Sequence, residues 1–290
     1  TISSGSFVAN GPTDISGTLS ITTNGDYDAN GTFTAASGIV NFDGAGFLRC
    51  NNTVTNLGAL STDNGTVEYD GGAQNVVADT YYNLEIDQAG TKTAQGAITV
   101  NGTMTVQNNG LVVYDIAGTT TTVTGATTVN HTNGSNSGTI KITTGTYEAN
   151  GTTDINGTLN ITTTGIYDAN NTFTAAGGTV NFDGAGFLRC SNTVTNLGTL
   201  SIDNGTVEYD GGTQDIFTDT YYNLEIDQSG TKESQGNLTI KNNLTITAGA
   251  LDIGTNSNNL TIGGNFTNSS TFTTSGETVT FDGSTENTSS

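Results

Sequence analysis

A V-x-[FY]-D-G motif occurs five times in this sequence, and each copy carries an aspartate at its fourth position. Carboxylate oxygens are the ligands that calcium prefers. The same residues are explained without a metal, because aspartate side chains accept backbone hydrogen bonds in tight turns. No D-x-D-x-D-G calcium loop is present. Calcium is therefore kept as a candidate cofactor, with four aspartates as its candidate ligands: Asp43, Asp70, Asp183 and Asp210.

The only two arginines, Arg49 and Arg189, directly precede the only two cysteines, Cys50 and Cys190. In an oxidising compartment a thiol can cross-link neighbouring molecules, and a guanidinium can contact a carboxylate across a subunit boundary. All four residues are therefore candidates for intermolecular contact. The alternatives are a thiol buried in the core and an arginine that pairs with a carboxylate of its own chain.

Catalysis has little support in the sequence. There is one histidine, His131, and no nucleophile-elbow, zinc or phosphate-loop motif. We therefore predict a protein that is not an enzyme, with no catalytic or cofactor-binding residues. A polysaccharide-degrading enzyme is the weaker alternative, because acidic residues are plentiful. Asn64 and Asn204 lie in identical D-N-G-T turns and are candidate glycosylation sites.

The charge of the chain excludes one class of partner. There are 27 acidic and 6 basic residues, so the net charge is −21. A nucleic-acid backbone would be repelled by this surface. No apolar run of the length needed to cross a bilayer is present, so we predict no membrane insertion.

The elements that carry these residues are duplicated. Residues 17–95 return at residues 157–235 with 62 of 79 positions identical, at an offset of 140 without a gap. Within each copy, apolar and polar residues alternate in short runs bounded by Gly, Asn and Asp, which is a strand signal. Shorter motifs recur every 20–27 residues inside the copies.

A unit of that length can form one coil of a parallel β-solenoid, with Val, Ile, Leu, Phe and Tyr stacked inside. We predict about twelve coils, in a first block of residues 1–140 and a second block of residues 141–290. The second block is expected to continue the first and to stop within a third unit of a longer chain. Each 140-residue repeat would hold about six coils and rise roughly 30 Å, too far for a disulfide between the twin cysteines. The alternative fold is two tandem antiparallel β-sandwiches.

The segment Val207–Ile226 and its twin Val67–Ile86 carry a strand ending in Y-D-G, then Gln, then an aromatic-Asn-Leu strand. This pattern resembles repeats of large secreted prokaryotic surface proteins of the adhesin or filament type, filamentous-haemagglutinin-like in the broad sense. The resemblance implies secretion, a right-handed parallel β-helix, and a structural or adhesive role at the cell surface. Self-association into a filament is the expected partner interaction. A module that binds glycans or cell surfaces is the alternative function.

Overall fold

The computed structural model describes residues 1–131 and 137–283. In those two ranges the chain forms forty short strands and no helix, and hence no helix that could cross a membrane. The alternation of buried and exposed side chains explains why the chain forms strands. In the run Ile39–Asp43, for example, Val40 and Phe42 are buried while Ile39 and Asp43 are exposed, as the two-residue period of a strand requires.

The strands are listed here in chain order. The first twenty are β1 (Ile2–Ala9), β2 (Thr13–Asp14), β3 (Thr18–Ala29), β4 (Phe33–Thr34), β5 (Ile39–Asp43), β6 (Phe47–Cys50), β7 (Val54–Asn56), β8 (Ala59–Leu60), β9 (Thr66–Tyr69), β10 (Gln74–Val76), β11 (Thr80–Tyr81), β12 (Asn83–Ile86), β13 (Gly90–Ala94), β14 (Ile98–Val100), β15 (Met104–Val106), β16 (Leu111–Ile116), β17 (Thr120–Val123), β18 (Thr127–Val129), β19 (Ser137–Ile142) and β20 (Thr146–Ala149). The next twenty are β21 (Thr153–Ile155), β22 (Thr158–Thr163), β23 (Ile166–Ala169), β24 (Phe173–Thr174), β25 (Thr179–Gly184), β26 (Phe187–Cys190), β27 (Val194–Asn196), β28 (Thr199–Leu200), β29 (Thr206–Tyr209), β30 (Gln214–Ile216), β31 (Thr220–Tyr221), β32 (Asn223–Ile226), β33 (Thr231–Ser234), β34 (Leu238–Ile240), β35 (Leu244–Ile246), β36 (Ala250–Asp252), β37 (Leu260–Ile262), β38 (Phe266–Asn268), β39 (Thr271–Thr273) and β40 (Val279–Phe281).

Strand pairing defines a three-sided solenoid. From β4 onward each paired strand joins the strand three positions later, and all of these pairs are parallel. The result is a parallel β-solenoid of about 14 turns, which confirms the predicted fold class with two more turns than expected. The sandwich alternative is wrong. In the described ranges the one antiparallel contact is an isolated bridge between His131 and Ser137.

Each turn therefore contributes one strand to each of three faces. Face 1 contains the C-terminal halves of β1 and β3, then every third strand from β6 to β39. Face 2 contains β2 and every third strand from β4 to β40, and face 3 contains the N-terminal half of β3 and every third strand from β5 to β38. At about 4.8 Å per turn, the described chain forms a rod roughly 65 Å long.

The core is a single column of apolar side chains that runs the length of the rod. Tyrosines belong to it as predicted, and the rings of Tyr147 and Tyr167 on successive turns stack with centroids 4.9 Å apart. Their buried hydroxyls bond Thr127 at 2.8 Å and Thr153 at 2.9 Å, so the polar ends are satisfied inside the rod.

The two sequence blocks do not occupy equivalent positions around the axis. β6 and its twin β26 are twenty strands apart, and three strands make one turn. A block therefore advances by six and two-thirds turns, and β6 lies on face 1 while β26 lies on face 3. The division between residues 140 and 141 falls inside β19, which pairs with β16 before it and β22 after it.

Candidate functional site at the shortened turns

Each block contains one turn that is shorter than all the others described. Thr66 pairs with Asn83 on the next turn, a spacing of 17 residues, and the twin pair Thr206 and Asn223 has the same spacing. The longest turn, from Thr127 to Thr153, has 26 residues.

The sheets are interrupted where a shortened turn meets the preceding one. In the first block β6 pairs with β9, but β7 does not pair with β10, and β8 does not pair with β11. In the second block β26 pairs with β29, while β27 and β30, and β28 and β31, are unpaired. We call these two places the first and second junctions. Both lie in the segments on which the sequence resemblance rests.

A buried glutamine bridges each junction. The Gln74 amide nitrogen donates to the carbonyl oxygens of Cys50 at 2.8 Å and Asn52 at 2.7 Å on the preceding turn. Its amide oxygen accepts the backbone N–H of Gly71 at 2.8 Å. Gln214 makes the same three bonds in the second block, at 2.9, 2.7 and 2.8 Å. The side chain thus replaces backbone bonds that the interrupted ladder lacks.

Two buried tyrosines close the shortened turn from within. The Val77 N–H donates to the Tyr69 hydroxyl at 3.1 Å, and the Tyr81 hydroxyl donates to the Val77 carbonyl at 2.6 Å. The two hydroxyls lie 3.1 Å apart, so the Tyr69 hydroxyl is left to donate to Tyr81. Burial raises the pKa of both phenols and keeps them protonated at neutral pH.

Each arginine lies on the one ladder that crosses its junction. Arg49 Nε donates to Glu68 Oε2 at 2.7 Å and its Nη1 donates to Asp26 Oδ2 at 3.0 Å. Arg189 Nε donates to Glu208 Oε2 at 2.9 Å. This agrees with the alternative that the arginines pair with carboxylates of their own chain. Contact with a second molecule stays a prediction for these residues, whose side chains are about one-third exposed.

Burial changes the acidity of the partner carboxylates. It raises the pKa of Glu68 to about 7, although the guanidinium of Arg49 acts in the opposite direction. Glu208 behaves in the same way, with a pKa of about 7. Each of these glutamates is almost fully removed from water, which disfavours its charged form.

The twin cysteines lie beside the arginines but point inward. Cys50 and Cys190 are free thiols in the core, with at most 1% of either residue exposed. Burial also raises the pKa of both thiols, which disfavours the reactive thiolate. The buried-thiol alternative describes their position. A cross-link between molecules stays a prediction, and it would require the strand to open.

Lysines occupy buried positions on the turn that follows each shortened turn. The Lys232 ammonium donates to four backbone carbonyls, those of Gly211, Asp227, Gln228 and Ser229. Its twin Lys92 donates to the Gln88 carbonyl, and burial lowers its pKa to about 8. Both lysines end a G-T-K sequence, and nothing in that sequence signals an inward side chain.

Carboxylates also gather near the first junction. Ligand atoms of Glu68, Glu85 and Asp87 lie within 4.8 Å of one another and could share a divalent cation. This group contains none of the four predicted calcium ligands. The signal was present in the sequence, because Glu85 and Asp87 are two residues apart and so point to the same side of a strand.

The predicted aspartates are dispersed. Asp70 and Asp210 each follow a shortened-turn strand, have one buried oxygen without a partner, and have a pKa that burial raises. Asp43 and Asp183 are exposed at or near the ends of β5 and β25. Calcium binding by these four residues stays a prediction.

Asn64 and Asn204 are exposed in the loops that precede β9 and β29. That position leaves room for a glycan, and glycosylation stays a prediction.

A shallow polar groove follows from each interruption. In the second block it has a volume of about 300 Å³ and is lined by Ser191, Asn192, Thr193, Thr213, Gln214 and Asp215. The first block has a groove of about 280 Å³ around Thr53, Gln74 and Asn75. Because the blocks are rotated by two-thirds of a turn, the two grooves open in different directions.

Comparison with known proteins adds no family assignment. The fold agrees with a β-helix repeat region, whereas the adhesin or filament role depends on the sequence motifs alone. The chain matches no protein-family model, no curated protein and no solved structure at a significant level.

Proposed function

We propose that this chain is a structural or adhesive segment of an extracellular filament or giant surface protein, and that it supplies length. One observation carries the proposal. A single apolar core and stacked parallel turns run through both sequence blocks, so duplication has lengthened one rod. Stacked repeats that contact only their neighbours can be extended without redesign of the interior.

The structural part is tested by adding a block. A copy of residues 17–156 inserted between residues 156 and 157 keeps every local sequence junction natural, because residue 157 is the twin of residue 17. We expect small-angle scattering to show a rod about 32 Å longer with the same cross-section. Two particles joined by a flexible connection, or a wider cross-section, would contradict the proposal.

The cellular part needs a different measurement. An antibody against the folded chain should label the surface of intact, unpermeabilised source cells in electron micrographs, on extended material. Labelling that appears only after permeabilisation would reject the extracellular location and leave the rod intact. Self-association of the purified chain should appear in sedimentation as species larger than 29.6 kDa. A calcium titration in the same instrument tests the predicted cofactor.

The twin polar grooves favour a second candidate function, recognition of neutral glycans. Hydroxyl and amide groups of Thr193, Thr213 and Asn192 line the groove of the second block, as sugar hydroxyls would require. A glycan array with the intact chain tests this, and Thr213→Tyr should fill the groove of the second block and reduce any signal. An array without binding would remove this candidate. We propose no catalytic role for either groove.

A further inference from the structure

The two junctions differ from every other contact between described turns in how many backbone ladders cross them. Elsewhere all three faces are paired from one turn to the next. At the first junction the β6–β9 ladder alone remains, and at the second the β26–β29 ladder alone remains. Within the described ranges, no backbone hydrogen bond joins residues 51–64 to residues 71–81, or residues 191–204 to residues 211–221.

Side chains replace only part of the missing ladders. Gln74 provides two bonds across the first junction, and Gln214 provides two across the second. The Arg49–Glu68 and Arg189–Glu208 pairs reinforce the ladder that is still present. The arginine of each pair is about one-third exposed, and desolvation of the buried glutamate offsets much of the attraction, so the pair contributes little net stability. Separating the turns here therefore breaks fewer bonds than separating any other pair.

In a stacked-repeat protein, stability is a sum of contributions from each repeat and from each contact between neighbours. Local unfolding begins where the contact between neighbours is weakest. We propose that the two junctions are the sites at which the rod first opens, under heat or tension, into otherwise intact segments. Opening at the junctions lets the rod lengthen in steps before its other turns unfold.

The two junctions should open to a similar extent. The side-chain contacts that cross them are equivalent, namely the Arg49–Glu68 and Arg189–Glu208 pairs and the two glutamine bridges. The additional Arg49–Asp26 pair joins β6 to β3, which lie on the same side of the first junction, so it does not hold that junction closed. This proposal concerns the fold itself, and it stands or falls independently of where the protein is located.

Native-state hydrogen exchange of the whole chain, resolved by residue, tests the proposal. The informative amides are those already paired across a junction, Thr66 to the Gly46 carbonyl at 2.9 Å and Thr206 to the Gly186 carbonyl at 3.0 Å. Matched amides at ordinary contacts are Thr146 to Thr119 at 2.9 Å and Thr127 to Thr152 at 2.8 Å. We expect the amides of Thr66 and Thr206 to exchange at least about tenfold faster than the two matched amides.

Gln74→Leu should accelerate exchange at Thr66 by roughly a further tenfold and leave Thr146 unchanged. Gln95→Leu is the matched control, because the exposed Gln95 side chain donates only to Thr93 within its own strand region. Equal protection of junction and ordinary amides in the unaltered protein would overturn the proposal, even if Gln74→Leu failed to fold. Equal acceleration of all four amides by Gln74→Leu would also overturn it.

Discussion

The first and second junctions are built from nearly the same residues and yet differ in their surroundings. The glutamine and tyrosine bonds of one recur in the other with donor–acceptor distances that agree closely. The ion pairs do not recur in full, because Arg49 reaches Asp26 on the preceding turn, where the second block has Ile166. The junctions also face different directions, since one block advances by six and two-thirds turns.

This difference shows which contacts belong to the repeated segment and which belong to its neighbours. The glutamine, tyrosine and arginine–glutamate bonds are reproduced, because both partners of each bond are duplicated. Contacts that reach further depend on single substitutions between the blocks. The cluster of three carboxylate side chains, Glu68, Glu85 and Asp87, also depends on a contact that the two blocks do not share. Asn109 donates to both Asp87 oxygens in the first block, and the second block has Gly249 at that position.

The largest effect is expected from the glycines that bring the shortened turn onto the preceding one. A Cβ at Gly71 would lie 2.3 Å from the Asn51 carbonyl oxygen, and one at Gly211 would lie 2.1 Å from the Ser191 carbonyl oxygen. We expect Gly71→Ala and Gly211→Ala each to lower the free energy of unfolding by about 2 kcal/mol or more. Chemical denaturation measures this.

The adjacent glycines are the matched controls. A Cβ at Gly72 or Gly212 would have no atom within 4 Å. Alanine there should change the stability by less than about 0.5 kcal/mol. If alanine at Gly71 were as harmless as alanine at Gly72, the close stacking of the shortened turn would be wrong.

A pH effect of intermediate size should arise equally from both junctions. The pKa values of Glu68 and Glu208 are about 7 in the folded chain, against about 4.3 when unfolded. Between these values the folded state binds more protons, so its stability falls as pH rises from about 5 to 7. We expect the melting temperature to be roughly 2–4 °C higher at pH 5.5 than at pH 8.

Glu68 and Glu208 should both contribute to this change in melting temperature with pH. Glu68→Gln and Glu208→Gln should each flatten the pH dependence, and the double variant should flatten it further. A melting temperature that rises with pH over this range would show that the ionised forms are the stabilising ones. That outcome would contradict the assignment of burial as the dominant cause.

The smallest effect tests the difference between the blocks directly. Arg49→Met should cost about 0.5 kcal/mol more than Arg189→Met, because only Arg49 loses two partners. Asp26→Ile, which copies the second block into the first, should make the two costs equal. Double-mutant cycles of thermal unfolding measure the coupling. Equal costs in the unaltered background would mean that the Arg49–Asp26 contact contributes nothing.

Much of the fold could be predicted from the sequence, because it depends on local patterns. Alternation in runs such as Ile39–Asp43 shows which side chains face the core, and the 20–27-residue period indicates stacked turns. The candidate site was harder to predict from the sequence. Gln74 and Lys92 are polar residues whose burial nothing in the local pattern indicates. It is explained only by their bonds to backbone carbonyls, which for Gln74 lie on the preceding turn and for Lys92 belong to Gln88.

The sequence by itself determined that this chain is an all-β repeat protein with an acidic surface, in which residues 17–95 are duplicated at residues 157–235. Side-chain alternation and turn residues act over a few positions, so they can be recognised from the sequence alone. The tertiary structure decided how many residues close each turn, between 17 and 26. That choice depends on which strands pair across turns. It explains why a 140-residue repeat ends two-thirds of the way around the rod, so that identical residues face different directions.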